Sequence, residues 1–433
     1  MLETMAATPN TDLTYYSEAR APDLAFEPLV GVEHVDVGVV GGGLAGLSAA
    51  LFLAEGGFRV GLLEARTLGS GASGRNGGQV LPGVAASQTH LRQLVGAADA
   101  NRIWDLSLQG MQLLKTRIAR HQIDCDWRDG HLHVADKPRQ LAELAAWQRE
   151  LRDDYGYSHT ALLDRAALRA RLDSPLYLGA LYDAAAGHLH PLRYLLGLAR
   201  AARRVEVRIH EHSRALGYDQ IPSGTLRIRT ATGELRCQHL LLAGNAELGA
   251  VAPRLARKIL PVRTFMLATE PLGEERAAAL IPGNAGVSDM NWILDYFRRS
   301  ADHRLLFGGR VSYASRREAH QGEATRRRMV RVFPGLAGAR IDHAWSGLLD
   351  LTMNRAPHFG RLAPNVWFLQ GFSGHGLALT GIAGQLVAEA IAGTAERFDV
   401  FARIPHRSFP GGAPLRRPLL ALAMLWYRLR DRL

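Results

Sequence analysis

The sequence predicts an α/β fold built on a Rossmann-like dinucleotide-binding unit. Three observations predict it: an apolar strand running into G-x-G-x-x-G, a helical pattern after the glycines, and a second apolar strand ending in an acid. His34-Val-Asp-Val-Gly-Val-Val40 reads as a short buried strand rich in valine. Gly41 then permits a tight turn, Gly43 lets a pyrophosphate approach the backbone, and Gly46 lets helix and strand pack closely. Leu44 and Ala45 open the helical pattern, with Leu47, Leu51 and Ala54 on one face. Its first N–H groups and positive dipole end face the phosphates. The second strand, Arg59-Val-Gly-Leu-Leu63, finishes at Glu64, 23 residues after Gly41 and placed to accept from an adenosine ribose. An acid there favours a free 2′-hydroxyl, hence FAD or NAD rather than NADP.

Length and charge bound the remaining classes. At 433 residues the chain exceeds the size at which one core stops growing, so two or more domains are expected. The formal net charge is +11, and all but three of the 52 basic residues are arginine (the lysines are Lys115, Lys137 and Lys258). The arginines are diffuse, whereas a nucleic-acid binder clusters its cations, so no nucleic-acid partner is expected. The exception is the tail, where seven arginines after residue 402 face one acid, Asp431. Two cysteines, Cys125 and Cys237, exclude a disulfide framework, a CxxC pair and a four-cysteine zinc site. His131/His133 and His188/His190 have strand spacing but no further ligands nearby, so no metal is expected. No secretory signal is read in the first thirty residues, so a cytoplasmic setting is expected.

FAD is separated from NAD further along the chain. Gly69-Ser-Gly-Ala-Ser-Gly-Arg-Asn-Gly-Gly-Gln79 is a small, polar run that reads as a loop approaching a second part of the cofactor. Asn365-Val-Trp-Phe-Leu-Gln370 reads as a strand entering Gly371-Phe-Ser-Gly374-His375-Gly376 and a helix from Leu377 to Ala392. That helix start suits negative charge on a reduced flavin. Leu240–Asn245 reads as a strand passing under the adenosine half, and 205–215 as a strand-like alternation beside it. No second strand, G-x-G-x-x-G and helix unit is read for a nicotinamide nucleotide.

These segments, with GHLHPL, ATEPL and LDYFRRSADHRLLFGGRVSY, resemble the D-amino-acid-oxidase superfamily of flavoproteins over nearly the whole chain. The chain is most similar to its bacterial γ-glutamylputrescine oxidase and L-pipecolate oxidase group. The resemblance implies a Rossmann-like FAD-binding domain plus an α+β substrate domain with a large mixed or antiparallel sheet. The FAD domain is expected at 31–90, 175–258 and 340–397, the substrate domain at 91–174 and 259–339, and a basic tail at 398–433. The implied reaction is oxidation of a C–N bond by hydride transfer to flavin N5, with O2 reduced to H2O2. Non-covalent FAD is expected.

The expected cofactor contacts are Gly41, Gly43, Leu44, Ala45, Gly46, Glu64, Ala65, Arg66, Gly71, Ala72, Ser73, Asn76, Gly77, Gly78 and Gln79 in the amino-terminal part. Ala215, Ala243, Gly244, Gly347, Gly371, Gly374, His375, Gly376 and Leu377 complete the set. Tyr296, Arg310, Arg355 and His375 are the candidates for groups near the reacting atoms, with Arg298 beside Tyr296. The arginines suit a substrate carboxylate. Pro261–Met266, Ser288–Ile293 and Leu351–Arg355 look closer to pipecolate-type relatives, so L-pipecolate is the leading expected substrate and γ-glutamylputrescine the alternative. In the tail, Pro418–Tyr427 followed by Arg-Leu-Arg-Asp-Arg-Leu433 reads as a basic amphipathic segment. It allows peripheral contact with the inner face of a membrane and a quinone-linked acceptor in place of O2. A tRNA-modifying flavoprotein is the reading from a different class, and no accompanying RNA-binding segment supports it.

Overall fold

A computed structural model describes residues 14–20, 24–292, 294–312 and 318–410. The tail segment 411–433, with its amphipathic pattern, lies outside the described residues.

The valine-rich segment forms the centre of a six-stranded sheet. Val37–Val40 pairs in parallel with Val60–Leu63 on one side and His239–Leu242 on the other. Arg208–His210 and Val366–Gln370 extend the parallel set, and His358–Ala363 closes it antiparallel. All four residues of Val37–Val40 and of Val60–Leu63 are buried, as continuous apolar runs in a covered parallel sheet must be. One face is covered by helices Leu44–Glu55, Pro191–Arg204 and Leu379–Ile391. Gly384 lets two of these helices touch: a Cβ there would lie 2.6 Å from the Ala49 nitrogen. The other face packs on a small four-stranded sheet through Leu226, Ile228, Leu235 and Cys237.

Two expected strands are shorter than the alternation suggested. The run 34–40 breaks at Val35-Asp36, because Asp36 accepts from the Arg59 backbone at 2.8 Å and from its guanidinium. Gly31–His34 therefore leaves to pair with Gly233–Cys237 in the small sheet. In the run 205–215 only Arg208–His210 is strand. Beyond it Glu211 is buried and accepts from Leu68 N and from Arg20, which turns the chain away.

The second large element is a mixed nine-stranded sheet. It runs from Ile341–Leu351 through Leu260–Thr269, Leu305–Ser312, Asp295–Arg299 and Gly286–Asp289 to Arg128–Ala135 and Gly179–His188. Only Gly286–Asp289 and Arg128–Ala135 pair in parallel among its recorded ladders. A separate core of Phe297, Phe307, Phe333 and their neighbours backs it. Ile341–Leu351 and Gly179–His188 pair in this sheet although they lie in segments expected to build the FAD domain. Gln79–Val80, straight after the glycine-rich loop, is its edge strand, so that loop runs from one sheet into the other.

Candidate cofactor and active site

The carboxyl ends of the parallel strands converge, and a cleft opens there, as the topology of doubly wound sheets requires. Gly41 has φ +117°, and a Cβ on it would lie 2.7 Å from the Ala243 carbonyl. The two strand ends can meet only if residue 41 is glycine. Glu64, at the end of the neighbouring strand, accepts from Gly42 N at 2.8 Å and Arg66 N at 2.9 Å. Burial pushes its carboxyl up, while those two donors pull it down. Ser73 reaches the helix start and accepts from Leu44 N at 3.0 Å.

Gly41, Gly43, Glu64, Ala65, Gly71, Ala72, Ser73, Ala215, Ala243 and Gly244 line the cleft, all of them expected from the sequence. Leu44, Ala45 and Gly46 form the buried first turn of the helix behind it. Arg66 closes the rim through a 3.0 Å ion pair to Glu247. Gly71 has open space where a side chain would stand. Asn245, which the sequence reading left out, also lines the cleft and has a buried Oδ1 without a protein partner. A glycine cradle, a helix amino terminus, an acid at the end of the neighbouring strand and an unused acceptor fit an adenine dinucleotide.

The rest of the glycine-rich loop is fastened to its surroundings. Asn76 folds it on itself, donating to Ala72 O and Ser73 O and accepting from Gly78 N at 2.8 Å. Gln79 Nε2 donates to Val287 O at 2.8 Å. The Asn76 amide and Gln79 Nε2 are thus engaged within the protein. From the large sheet, Arg298 Nε donates to Gly77 O at 2.8 Å and Trp345 Nε1 to Arg75 O at 3.0 Å. Gly347, two residues after that tryptophan, sits against the Arg75 side chain.

Tyr296 lies under the same loop. A Cβ on Gly77 would stand 2.7 Å from its ring, and Gly308 packs against the ring from the neighbouring strand. Its hydroxyl bonds Thr264, and burial pushes the phenol well above its usual range, so it stays protonated. Arg310 falls in strand Leu305–Ser312 at a shift of register against Thr264 and Phe265; its side chain lies outside the described residues.

The carboxy-terminal turn is organised by an acid that the sequence reading missed. Asp350 is 2% exposed and accepts from Gly371 N and, at 3.2 Å, Phe372 N. An Asn245 side-chain hydrogen bond joins it to the cleft, and burial pushes its carboxyl up to about 6. One carboxylate thus ties the large sheet, the Gly371 turn and the nucleotide cleft together. The available signal was a lone acid inside the apolar run Leu348-Leu-Asp-Leu351. The helix expected from Leu377 begins at Leu379, with Thr380 N donating to Gly376 O at 2.8 Å. Gly374 and Leu377 lie in the turns just before it, Gly374 against the Leu349 side chain. His375 points its Nε2–H at Pro82 O, 2.9 Å away, and burial lowers its pKa, so the imidazole is neutral.

Arg355 stands apart from Tyr296 and His375 in the chain and faces a different neighbour. It adopts φ +57° at the tip of the 352–356 turn, with its guanidinium 5.4 Å from the Trp292 ring centre. Trp292 beside it and Met353 two residues before it are exposed, at 39% and 50%.

The profile of the "FAD dependent oxidoreductase" family (DAO) matches residues 36–390. The gamma-glutamylputrescine oxidoreductase of Escherichia coli K12 is 43% identical over 422 residues, covering 97% of this chain and 98% of that one. A probable oxidoreductase, OrdL, of Haemophilus influenzae is 39% identical over 97% of each chain. The glycine oxidase of Bacillus cereus superposes with a TM-score of 0.70 at 21% identity, covering 87% of this chain and 99% of that structure. The nucleotide cleft, the sheet that covers it and these likenesses agree: this chain belongs to the DAO family of FAD-dependent oxidoreductases, enzymes acting on amine and amino-acid substrates.

Proposed function

We propose that the chain oxidises a γ-glutamylated amine, with γ-glutamylputrescine as the substrate and O2 as the acceptor. The observation that carries this reading is the 43% identity to the E. coli gamma-glutamylputrescine oxidoreductase over 97% of the chain. This reverses the order of the two expected substrates. The preference for L-pipecolate rested on three short segments, and no relative among the comparisons supports it. Membrane contact through the tail is likewise unsupported, and no helix among the described residues is long and apolar enough to cross a membrane.

Bound FAD supplies the two-electron acceptor for oxidation of the C–N bond. The chain's own residues bind and orient. In this reading Gly41–Ala45 meet the diphosphate, Glu64 the adenosine ribose, and the Gly77-Gly78 and Gly371–Leu377 backbones the flavin. Tyr296 is a neutral wall beneath the loop. Arg355, partly exposed beside Trp292, is suited to a free carboxylate such as that of a γ-glutamyl group. Neutral His375 is bound to Pro82 O and holds the turn through that contact.

Peroxide release by the purified yellow enzyme decides between the substrates. Turnover of γ-glutamylputrescine without turnover of L-pipecolate is expected; the opposite pattern overturns the reading. Arg355→Gln is expected to raise KM for the γ-glutamylated amine with little change in kcat, because that contact is made equally in ground and transition states. Acid precipitation tests the attachment, and free FAD in the supernatant is expected.

A further inference from the structure

Arg298 is a buried cation with no carboxylate beside it. It is 2% exposed, and none of the ion pairs among the described residues includes it. Its three hydrogen bonds go to neutral acceptors: Gly77 O at 2.8 Å, Arg299 O at 3.2 Å and the Tyr16 hydroxyl at 3.2 Å. A guanidinium so placed is costly unless it faces negative charge. Among the described residues no carboxylate bonds to it. His188 and His190 share this corner and are both pushed down to about 3, first by burial and then by Arg298 itself, so neither carries charge or takes any up. Asp302, the acid of this corner, is engaged by the Tyr15 hydroxyl and by Arg304, each at 2.6 Å.

The packing holds the cation in place rather than letting it reach solvent. Tyr16 is fully buried, with its ring 4.8 Å from His190 and 5.4 Å from Trp345, both edge to face. Thr14 and Ser17 cap the short turn that carries it. The guanidinium meets the glycine-rich loop directly: a Cβ on Gly78 would lie 3.0 Å from Arg298 Nε. The shortest of its hydrogen bonds, to Gly77 O at 2.8 Å, points the uncompensated charge at the loop that the proposed function sets against the flavin.

We infer that Arg298 is an electrostatic positioning residue for the cofactor, whose charge, delivered across the Gly77-Gly78 backbone, favours the electron-rich reduced flavin. This rests on the FAD assignment and on the loop facing the flavin, and not on the identity of the amine. A unit charge within about 10 Å, at an effective dielectric of about 20, changes the oxidised-to-reduced ratio at fixed potential on the order of tenfold.

The test is the flavin midpoint potential of the FAD-loaded enzyme, measured by photoreduction against a reference dye with no amine present. Arg298→Gln keeps a donor for Gly77 O and removes the charge; it is expected to shift the midpoint to more negative values by that tenfold in ratio. Arg298→Lys keeps the charge and loses the fork; its midpoint is expected to stay near the parent value while its thermal stability falls. An Arg298→Gln enzyme that holds FAD with the parent midpoint overturns the inference. Should Arg298→Gln not retain FAD, Arg298→Lys decides, and a midpoint lowered along with its stability overturns the inference equally. A parent enzyme that takes up FAD but leaves γ-glutamylputrescine unoxidised refutes the substrate reading and leaves this measurement intact.

Discussion

Replacing Glu64 by alanine should separate cofactor binding from folding, and its size follows from the contacts. The carboxylate accepts from two backbone donors, Gly42 N at 2.8 Å and Arg66 N at 2.9 Å, and lines the cleft. Hydrogen bonds to a charged group contribute about 1.5–3 kcal/mol each, and a buried donor left alone costs about 1–3 kcal/mol. In the apoprotein, water entering the open cleft satisfies Gly42 N and Arg66 N, so the apo stability should fall by only about 1–2 kcal/mol. In the complex the ribose contact is lost as well, and the Gly42 turn that shapes the diphosphate cradle is released. A net loss of about 2–4 kcal/mol in binding corresponds to roughly 30- to 1,000-fold in Kd. Glu64→Gln keeps one acceptor oxygen and should fall about midway between parent and alanine in binding free energy. The assay is titration of apoprotein with FAD, following flavin fluorescence, beside thermal melts of the apoprotein. An alanine variant that binds FAD within threefold of the parent, with unchanged apo stability, would refute the reasoning. Glu64 would then be a solvated acid at a strand end.

Three further outcomes follow from the packing. Asp350 is held at about 6 against an ordinary 3.8, so between those values the folded state keeps a proton that the unfolded state has released. Its contribution is therefore a stability loss of about 3 kcal/mol that develops as pH rises from about 4 to 6. Asp350→Asn should flatten that part of the profile in denaturant melts, and an unaltered slope would show the carboxylate to be solvated. Gly384→Ala should destabilise by more than about 2 kcal/mol, because its Cβ would meet the Ala49 backbone nitrogen at 2.6 Å and the two helices must part; a melt within 1 °C of the parent would contradict that contact. Arg66→Ala should change apoprotein stability by about 0–1 kcal/mol, since the pair with Glu247 is 39% and 41% exposed, and a larger loss would mean that the pair is shielded when the rim closes.

The nucleotide half of the site was legible in the sequence because its determinants are local. Gly41, Gly43, Gly46 and Glu64 lie within one strand–turn–helix–strand unit, where backbone geometry and periodicity set the outcome over a few residues. The glycine-rich loop 69–79 was recognisable as irregular for the same reason, since its composition disfavours a buried helix or strand. Boundaries were less legible. The break at Val35-Asp36 depends on Arg59 arriving from the next strand, and a window of alternating residues carries no trace of that partner.

What the sequence by itself determined is thus the family, the cofactor class and the strand–turn–helix–strand unit around Gly41. Only the tertiary structure decided which polar residues do what. Asp350 binds the Gly371 turn although 21 residues separate them, and Arg298 reaches Gly77 across 221. Among 49 arginines no local pattern marks Arg298 as one that ends up buried without an ion pair among the described residues. The physical reason is that a side chain's protonation and its role depend on what the fold places around it. Desolvation and long-range partners are properties of the packed chain, and neither is written into the few residues on either side.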